Sequence, residues 1–164
     1  MLIYRIENDL KSGAYSFKQA LDCERLNHQS TDVRTYRKNH PAPLYDNQLS
    51  YWWFKKEYKN EISDLIFGFN SIEQLLDWFP ISGLEKFDQL VKEEIARKRK
   101  EETCISHSEF YTFGISVYSI NKRKVKQGER QVIFQRDSGR LVKRYTFEEF
   151  IKMVSEKYET GVSA

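Results

Sequence analysis

The sequence predicts an α+β protein in which about four helices cover a twisted, mainly antiparallel sheet. Two short patterns, at Ser71 and Thr146, have the form of a capping box and are followed by apolar residues at helical spacing. Runs of β-branched and aromatic residues near the N-terminus and in the last third predict strands. A chain of 164 residues, 40% of them hydrophobic, can bury one core, so we expect a single domain over 1–164 with a frayed tail from about residue 160.

The first third of the chain predicts a strand, a helix and a long loop. Residues 2–6 favour a strand, because they include β-favouring side chains. Ser16 can cap a helix near 17–27 that has apolar residues on one face. Residues 28–50 are polar, contain two prolines and show no sustained period, which predicts a long ordered loop or a lid.

Two helices are predicted in the middle of the chain. In the first, near 72–79, the Ser71 hydroxyl accepts from a backbone N–H of the first turn, the Gln74 side chain reaches back, and Pro80 ends the helix. The second, near 83–100, has apolar residues at spacings of three and four. Each helix therefore has one apolar face to bury against the sheet.

The last third predicts three strands and a terminal helix. The turn residues at 137–139 indicate a hairpin, and the three strands would pair as an antiparallel meander. Thr146 repeats the capping-box pattern before a helix near 147–158. The strands are expected over about 110–118, 130–135 and 141–145.

Basic residues are concentrated in one third of the chain. Residues 1–91 carry 11 basic and 13 acidic side chains, 92–144 carry 14 and 7, and 145–164 carry 2 and 4, which gives −2, +7 and −2 and the total of +3. Concentrated positive charge attracts phosphates and other polyanions, although a charge run is also typical of a solvated surface. The candidate partner-binding or anion-binding residues are Arg97, Lys98, Arg99, Lys100, Lys122, Arg123, Lys124 and Lys126.

The usual motifs of metal, cofactor and membrane proteins are missing from the sequence. Cys23 and Cys104 have no close Cys or His neighbour, so we expect both to be reduced and structural. His28, His40 and His107 lack the spacing of metal ligands, and we expect no metal. No Gly-rich phosphate loop or serine-hydrolase motif occurs, so we expect no cofactor. No apolar run is long enough to span a membrane, and we expect a cytoplasmic protein.

A dense aromatic run over 51–54 is followed by two lysines. Trp52 and Trp53 are candidates for stacking nucleic-acid bases, and Lys55 and Lys56 would meet the phosphates of a single strand. Aromatic runs also build cores, since each ring buries a large apolar area, and we favour that interpretation.

Several short strings form a pattern along the first 135 residues. They are Ile3-Tyr4-Arg5-Ile6-Glu7 with Gly13 and Tyr15, His40-Pro41, Phe67-Gly68-Phe69-Asn70-Ser71 with Gln74, Leu75, Trp78 and Phe79, and Gln131-Val132-Ile133-Phe134. In these strings the chain resembles a family of small uncharacterised proteins carried by tailed bacteriophages. The resemblance names no activity. It implies a phage accessory protein in the bacterial cytoplasm, the class that includes host-takeover and counter-defence factors.

Arg5 on the first strand, Ser71 before a helix and Gln131 on a late strand form a second pattern. In these positions the chain loosely resembles the ADP-ribosyltransferase superfamily. The resemblance implies that Arg5 holds the NAD pyrophosphate, that Ser71 fixes the nicotinamide ribose, and that a carboxylate stabilises the oxocarbenium ion. Gln131 stands where that carboxylate is expected, and Glu129, on the same predicted strand face, could replace it. The same residues could equally be an ion-paired arginine, a helix cap and a strand residue.

Three functions stay open. We favour a non-enzymatic phage accessory protein whose basic 97–144 region binds a host or host-defence protein, or a polyanion such as nucleic acid. The second is an ADP-ribosyltransferase-like protein that binds NAD or ADP-ribose, and the third is a binder of single-stranded nucleic acid through Trp52 and Trp53. No catalytic residue is assigned firmly, and the sequence does not determine the oligomeric state.

Overall fold

The computed structural model describes residues 1–9, 13, 46, 48–58, 64–101 and 112–160. The structural statements that follow concern these residues. The predicted helix near 17–27, most of the predicted loop over 28–50, both cysteines, all three histidines and the tail after residue 160 lie outside them.

The described residues form α-helices and β-strands, as the α+β prediction requires. The predicted helices near 72–79, 83–100 and 147–158 are each present within a few residues of their expected ends. The helices are α1 (Ser50–Tyr58), α2 (Ile72–Trp78), α3 (Ile81–Glu101) and α4 (Phe147–Thr160). The strands are β1 (Leu2–Asn8), β2 (Leu65–Gly68), β3 (Phe113–Ile120), β4 (Val125–Gln127), β5 (Val132–Gln135) and β6 (Gly139–Tyr145).

The strands form two three-stranded sheets, in the orders β1-β3-β6 and β2-β5-β4. In the second sheet β5 pairs antiparallel with both neighbours, with Val132 opposite Gly68 on one side and opposite Gln127 on the other. The prediction that β3, β5 and β6 form one meander is therefore wrong. Two short strands that the sequence did not predict, β2 and β4, occupy both edges of β5. A 3₁₀ helix at Arg136–Ser138 separates β5 from β6 where a hairpin turn was expected.

The chain divides into two compact units, which are described separately. The prediction of one domain over 1–164 stays a prediction. Unit 1 comprises Met1–Arg5, Val33–Trp78 and Ser116–Lys143, and unit 2 comprises Ile6–Asp32, Phe79–Ile115 and Arg144–Ala164.

The core of unit 1 consists of aliphatic and aromatic side chains from five strands. Tyr118 and Phe134 have ring centroids 5.9 Å apart, and both residues are almost completely buried. Such packed rings contribute beyond the apolar area that they bury. The cluster comprises Ile3, Ile66, Tyr118, Ile120, Val132 and Phe134, with Val125 packed against it.

Helix α2 begins with the predicted capping box. The Ser71 hydroxyl accepts a hydrogen bond from the Gln74 N–H at 3.0 Å, and the Gln74 side-chain oxygen accepts from the Asn70 N–H at 2.9 Å. These bonds satisfy backbone donors that a helix start otherwise leaves open. The buried face of α2 includes Leu75 and Trp78, and the Trp78 ring lies 5.5 Å from that of Phe69.

In unit 2, α3 and α4 pack through aromatic rings. Phe87 is fully buried, and its ring lies 5.4 Å from Phe113 and 6.0 Å from Phe147, both with edge-to-face geometry. Helix α4 begins with the second predicted capping box, in which the Glu149 N–H donates to the Thr146 hydroxyl at 3.1 Å and the Glu149 carboxylate accepts from the Thr146 N–H at 2.8 Å. Both capping-box predictions are thus confirmed.

Gly114 provides a sensitive test of the pairing between β3 and β6 within unit 2. A Cβ atom at this position would lie 2.3 Å from the Tyr145 carbonyl oxygen, a backbone atom that cannot move without disturbing the strand. We expect Gly114→Ala to lower the free energy of unfolding by about 1–3 kcal/mol, the usual range for overpacking, measured by chemical denaturation.

The matched control is Gly139→Ala in unit 1. There the nearest atoms belong to the Ile120 side chain at 3.0 and 3.1 Å, and a side chain can adjust. Equal losses of stability in the two variants would contradict the close approach at Gly114.

Candidate functional site

The candidate site is a basic turn in unit 1. It consists of Lys122, Arg123 and Lys124, which form a 3₁₀ helix directly after β3, and of Lys126 on β4. Asn121 shapes the turn, because its side-chain oxygen accepts from the Arg123 N–H at 3.0 Å and its carbonyl accepts from the Lys124 N–H at 2.8 Å. The backbone of the turn is therefore ordered before any partner arrives.

All four side chains of the basic turn are exposed to solvent. Among the residues that the structure describes, no carboxylate forms an ion pair with any of them. Four positive charges within five residues are thus locally uncompensated, and they attract an anionic surface over roughly a Debye length, about 8 Å at physiological salt.

The other basic run, at the end of α3, belongs to unit 2 and is considered by itself. The Arg97 guanidinium contacts the Glu94 carboxylate at 2.7 Å, so one of its charges is offset by a neighbour on the same helix. Arg99 and Lys100 are exposed, and the Lys98 side chain lies outside the described residues. One turn earlier, the hydrogen bond and charge of Asp88 raise the pKa of Lys92. Charge pairs along a helix are typical of a solvated surface, which makes this run the weaker candidate.

Arg144, also in the basic third of the sequence, has a structural role in unit 2. Its guanidinium donates to the carbonyl oxygens of Glu7 at 3.3 Å, Asn8 at 3.1 Å and Thr112 at 2.9 Å. It also lies 3.0 Å from the Asp9 carboxylate. A planar group with five donors suits such a junction of backbone carbonyls, so this charge stabilises the fold of unit 2.

The turn between β4 and β5, at the other end of β4, is held by a buried carboxylate. Asp46 is 2% exposed, and its two oxygens accept from the Glu129 N–H at 3.1 Å and the Arg130 N–H at 3.3 Å. The same carboxylate accepts from the Gln48 N–H at 3.1 Å. A Cβ atom at Gly128 would lie 2.7 Å from Asp46 Oδ2, so the turn packs directly on the carboxylate.

This clasp corrects one prediction about Glu129. The sequence placed Glu129 and Gln131 on one face of a strand, but β5 begins at Val132, and Glu129 lies in the turn. The sequence could not show this, because the residue that holds the turn, Asp46, is 83 positions away from Glu129.

A depression of about 230 Å³ lies beside this turn in unit 1. Its lining combines two exposed carboxylates with one guanidinium and a largely buried indole, and it is open to solvent. The lining residues are Gln74, Asp77, Trp78, Glu129 and Arg130.

The four residues of the ADP-ribosyltransferase pattern all lie in unit 1. Tyr4 pairs with Phe69, and Gly68 pairs with Val132, so the backbone brings the neighbourhoods of Arg5, Ser71 and Gln131 onto adjacent strands. Their side chains do not line the depression, which includes only Glu129 of the four.

Three of those side chains have other roles or surroundings. Arg5 is 8% exposed, and its guanidinium donates to the Phe67 carbonyl at 2.5 Å. The Ser71 hydroxyl caps α2, and Gln131 is 2% exposed. These contacts explain the residues as parts of the fold, and the NAD hypothesis stays a prediction.

The aromatic run forms the start of α1, a helix that the sequence did not predict. The chain enters α1 through a turn in which the Leu49 and Ser50 N–H groups donate to the Asp46 carbonyl at 3.0 and 2.8 Å. Trp52 is partly buried, and the Trp53 side chain lies outside the described residues. Tyr51 is 74% exposed, with the Lys55 ammonium 5.4 Å from its ring centroid.

Two further classes of site were searched among the described residues. No group of three or more His, Cys, Asp or Glu side chains there could hold a metal ion. None of the helices described is long and apolar enough to cross a membrane.

Comparison with known proteins gives a family. Residues 1–148 match the family described as Bacteriophage T4 Y00F protein. The chain belongs to this phage family. The expected resemblance to bacteriophage proteins is confirmed to that extent, and the looser resemblance to ADP-ribosyltransferases has no support. No curated protein and no solved structure gave a match.

The Asp46 clasp yields a stability prediction. Asp46→Ala removes three acceptor contacts to backbone N–H groups, and hydrogen bonds to a charged group are each worth about 1.5–3 kcal/mol. We expect the free energy of unfolding to fall by about 2–4 kcal/mol, measured by urea denaturation, because water that enters the site will replace part of the loss.

Two variants calibrate that measurement. Asp46→Asn keeps one acceptor oxygen and should lose less, whereas Asp137→Ala, at an exposed carboxylate in the 3₁₀ helix after β5, should change stability by no more than about 0.5 kcal/mol. A loss at Asp46→Ala as small as that at Asp137→Ala would show that the clasp does not hold the turn.

Proposed function

We propose that the protein is a phage accessory protein that acts in the bacterial cytoplasm, where its basic turn docks on an acidic surface of a host or host-defence protein. The observation that carries this proposal is the basic turn itself, with four exposed cations and no ion-pair partner among the described residues. Membership of a phage family supports the setting but names no partner.

The order of the turn favours binding. Asn121 fixes one end through its two hydrogen bonds, and the pairing of Lys126 with Ile133 fixes the other. A partner therefore meets cations on a backbone that is already ordered, which lowers the entropy lost on binding. Complementary charge then raises the association rate and selects against partners of the same sign.

A protein partner fits these observations better than a nucleic acid. Proteins that bind single strands combine a positive groove along the backbone with aromatic platforms for successive bases. The described positive charge without partners is instead compact, within the five residues 122–126. Of the predicted stacking pair, Trp52 is partly buried, and the exposed ring of Tyr51 has Lys55 above it.

Charge reversal at the basic turn tests the proposal. The variant carries Lys122→Glu, Arg123→Glu and Lys124→Glu, which change the formal net charge from +3 to −3 because each substitution removes two units. We expect recovery of the partner from bacterial lysate to fall at least tenfold, because the attraction becomes repulsion. Recovery by the wild type should also weaken as salt is raised.

The control changes net charge equally at exposed lysines of unit 2, with Lys86→Glu, Lys152→Glu and Lys157→Glu. It should recover the same protein as the wild type, and both variants should keep the wild-type melting temperature. Equal recovery by the two triple variants would remove the basic turn from the function. Recovery that disappears after nuclease treatment would replace the protein partner with nucleic acid.

A further inference from the structure

One edge strand of unit 1 has no partner strand among the described residues. Strand β6 is the last strand in the order β1-β3-β6, and residues 140–143 at its centre are exposed on both faces. Leu141 is 46% exposed and Val142 is 47% exposed, whereas β3 beside them is almost entirely buried. Edge strands present a row of backbone donors and acceptors to which another chain can pair.

The other edges of the sheets are less suitable for strand addition. Strand β4 has only three residues, Val125–Gln127. Strands β1 and β2 lead to the bridge between Tyr4 and Phe69, which joins backbone beyond their listed partners with N–H to O distances of 2.8 Å in both directions. Strand β6 therefore offers the longest edge with no described pairing.

The basic turn lies at the end of the sheet where β6 begins. A Cβ atom at Gly139, the first residue of β6, would lie 3.0 Å from Cγ1 of Ile120, and Ile120 is followed directly by Asn121 and the basic turn. Within unit 1, the β6 edge thus starts beside Lys122–Lys124 and continues through Arg140 to Lys143.

The geometry points to strand addition: the outer edge of β6 binds an extended, acidic segment of the partner protein, with alternating apolar and acidic side chains, as a new strand. This inference rests on the proposed function and names the form of the partner's binding segment. In such complexes main-chain hydrogen bonds supply affinity and alternate side chains supply specificity. Leu141 and Val142 would contact the apolar side chains, and Arg140 and Lys143 the acidic ones.

A second copy of this chain fits the edge less well than an acidic segment. If two β6 strands paired antiparallel about the midpoint between Leu141 and Val142, Arg140 of one copy would face Lys143 of the other. Like charges directly opposite each other destabilise a strand pair. Exposed basic residues on an edge are a known protection against self-pairing, and they leave an acidic strand free to bind.

The first experiment selects peptides of twelve residues from a random display library on the full-length wild-type protein. A chosen peptide is then synthesised in its natural form and in two N-methylated forms, each blocked on alternate amides along one edge. We expect alternating acidic and apolar sequences. We also expect at least a tenfold weaker affinity for one N-methylated form, by fluorescence polarisation, because the blocked amides can no longer donate to β6.

The second experiment locates the bound peptide. Hydrogen–deuterium exchange should show new protection at residues 140–143. The variant Leu141→Thr with Val142→Thr keeps strand-favouring side chains but removes apolar contacts, and it should weaken binding at least tenfold. The control Tyr158→Thr, at an apolar residue of unit 2 that is 47% exposed, should bind like the wild type.

The outcomes separate the two proposals. No enriched peptide, equal affinity of all three peptide forms, or protection outside β6 would overturn strand addition. If such a peptide still lost affinity on charge reversal of the basic turn, the proposed function would stand without it. If lysate recovery were also unaffected by that charge reversal, both would fall. A concentration-dependent dimer in ultracentrifugation that the Leu141→Thr, Val142→Thr variant lost would assign the edge to a second copy.

Discussion

The local structure around the basic turn depends on a buried carboxylate. Removing a carboxylate from water is costly unless its oxygens accept hydrogen bonds, and Asp46 meets this requirement with the N–H groups of Gln48, Glu129 and Arg130. Two of these donors come from a turn more than 80 residues later, so the same bonds that solvate the charge also fix the turn between β4 and β5. The pairing of Gln127 with Val132 continues directly from it.

That constraint reaches the basic turn through a very short strand. Strand β4 has three residues between the basic turn and the clasped turn, so it has little length in which a displacement could be absorbed. Asn121 fixes the opposite end of the basic turn. The lysine side chains remain free to rotate, but the backbone positions from which they extend are set by bonds on both sides. A binding surface of this kind loses mainly side-chain entropy when it meets a partner.

Sequence reasoning succeeded where the determining interactions are local and failed where they are distant. The capping boxes at Ser71 and Thr146 are closed by residues three positions later, and both helices were predicted. Strand β2 and strand β4 are four and three residues long, and each is defined by pairing with β5 rather than by its own pattern. The displacement of Glu129 into a turn depends on Asp46 in the same way. The basic turn itself was predicted from charge alone, but its lack of ion-pair partners among described residues needed the structure.

The count of positive charge also needs the structure, because the cations differ in what surrounds them. Arginines in both units contact backbone carbonyls or carboxylates: Arg5 the carbonyl of Phe67, Arg144 three carbonyls, and Arg97 the carboxylate of Glu94. Their planar guanidinium groups suit such fixed, directional contacts. Three of the four side chains in the basic turn are instead lysines, compact and strongly hydrated charges on flexible stems. Such charges act through attraction over distance and impose little geometry, which suits recognition of an acidic protein segment better than bidentate capture of one phosphate.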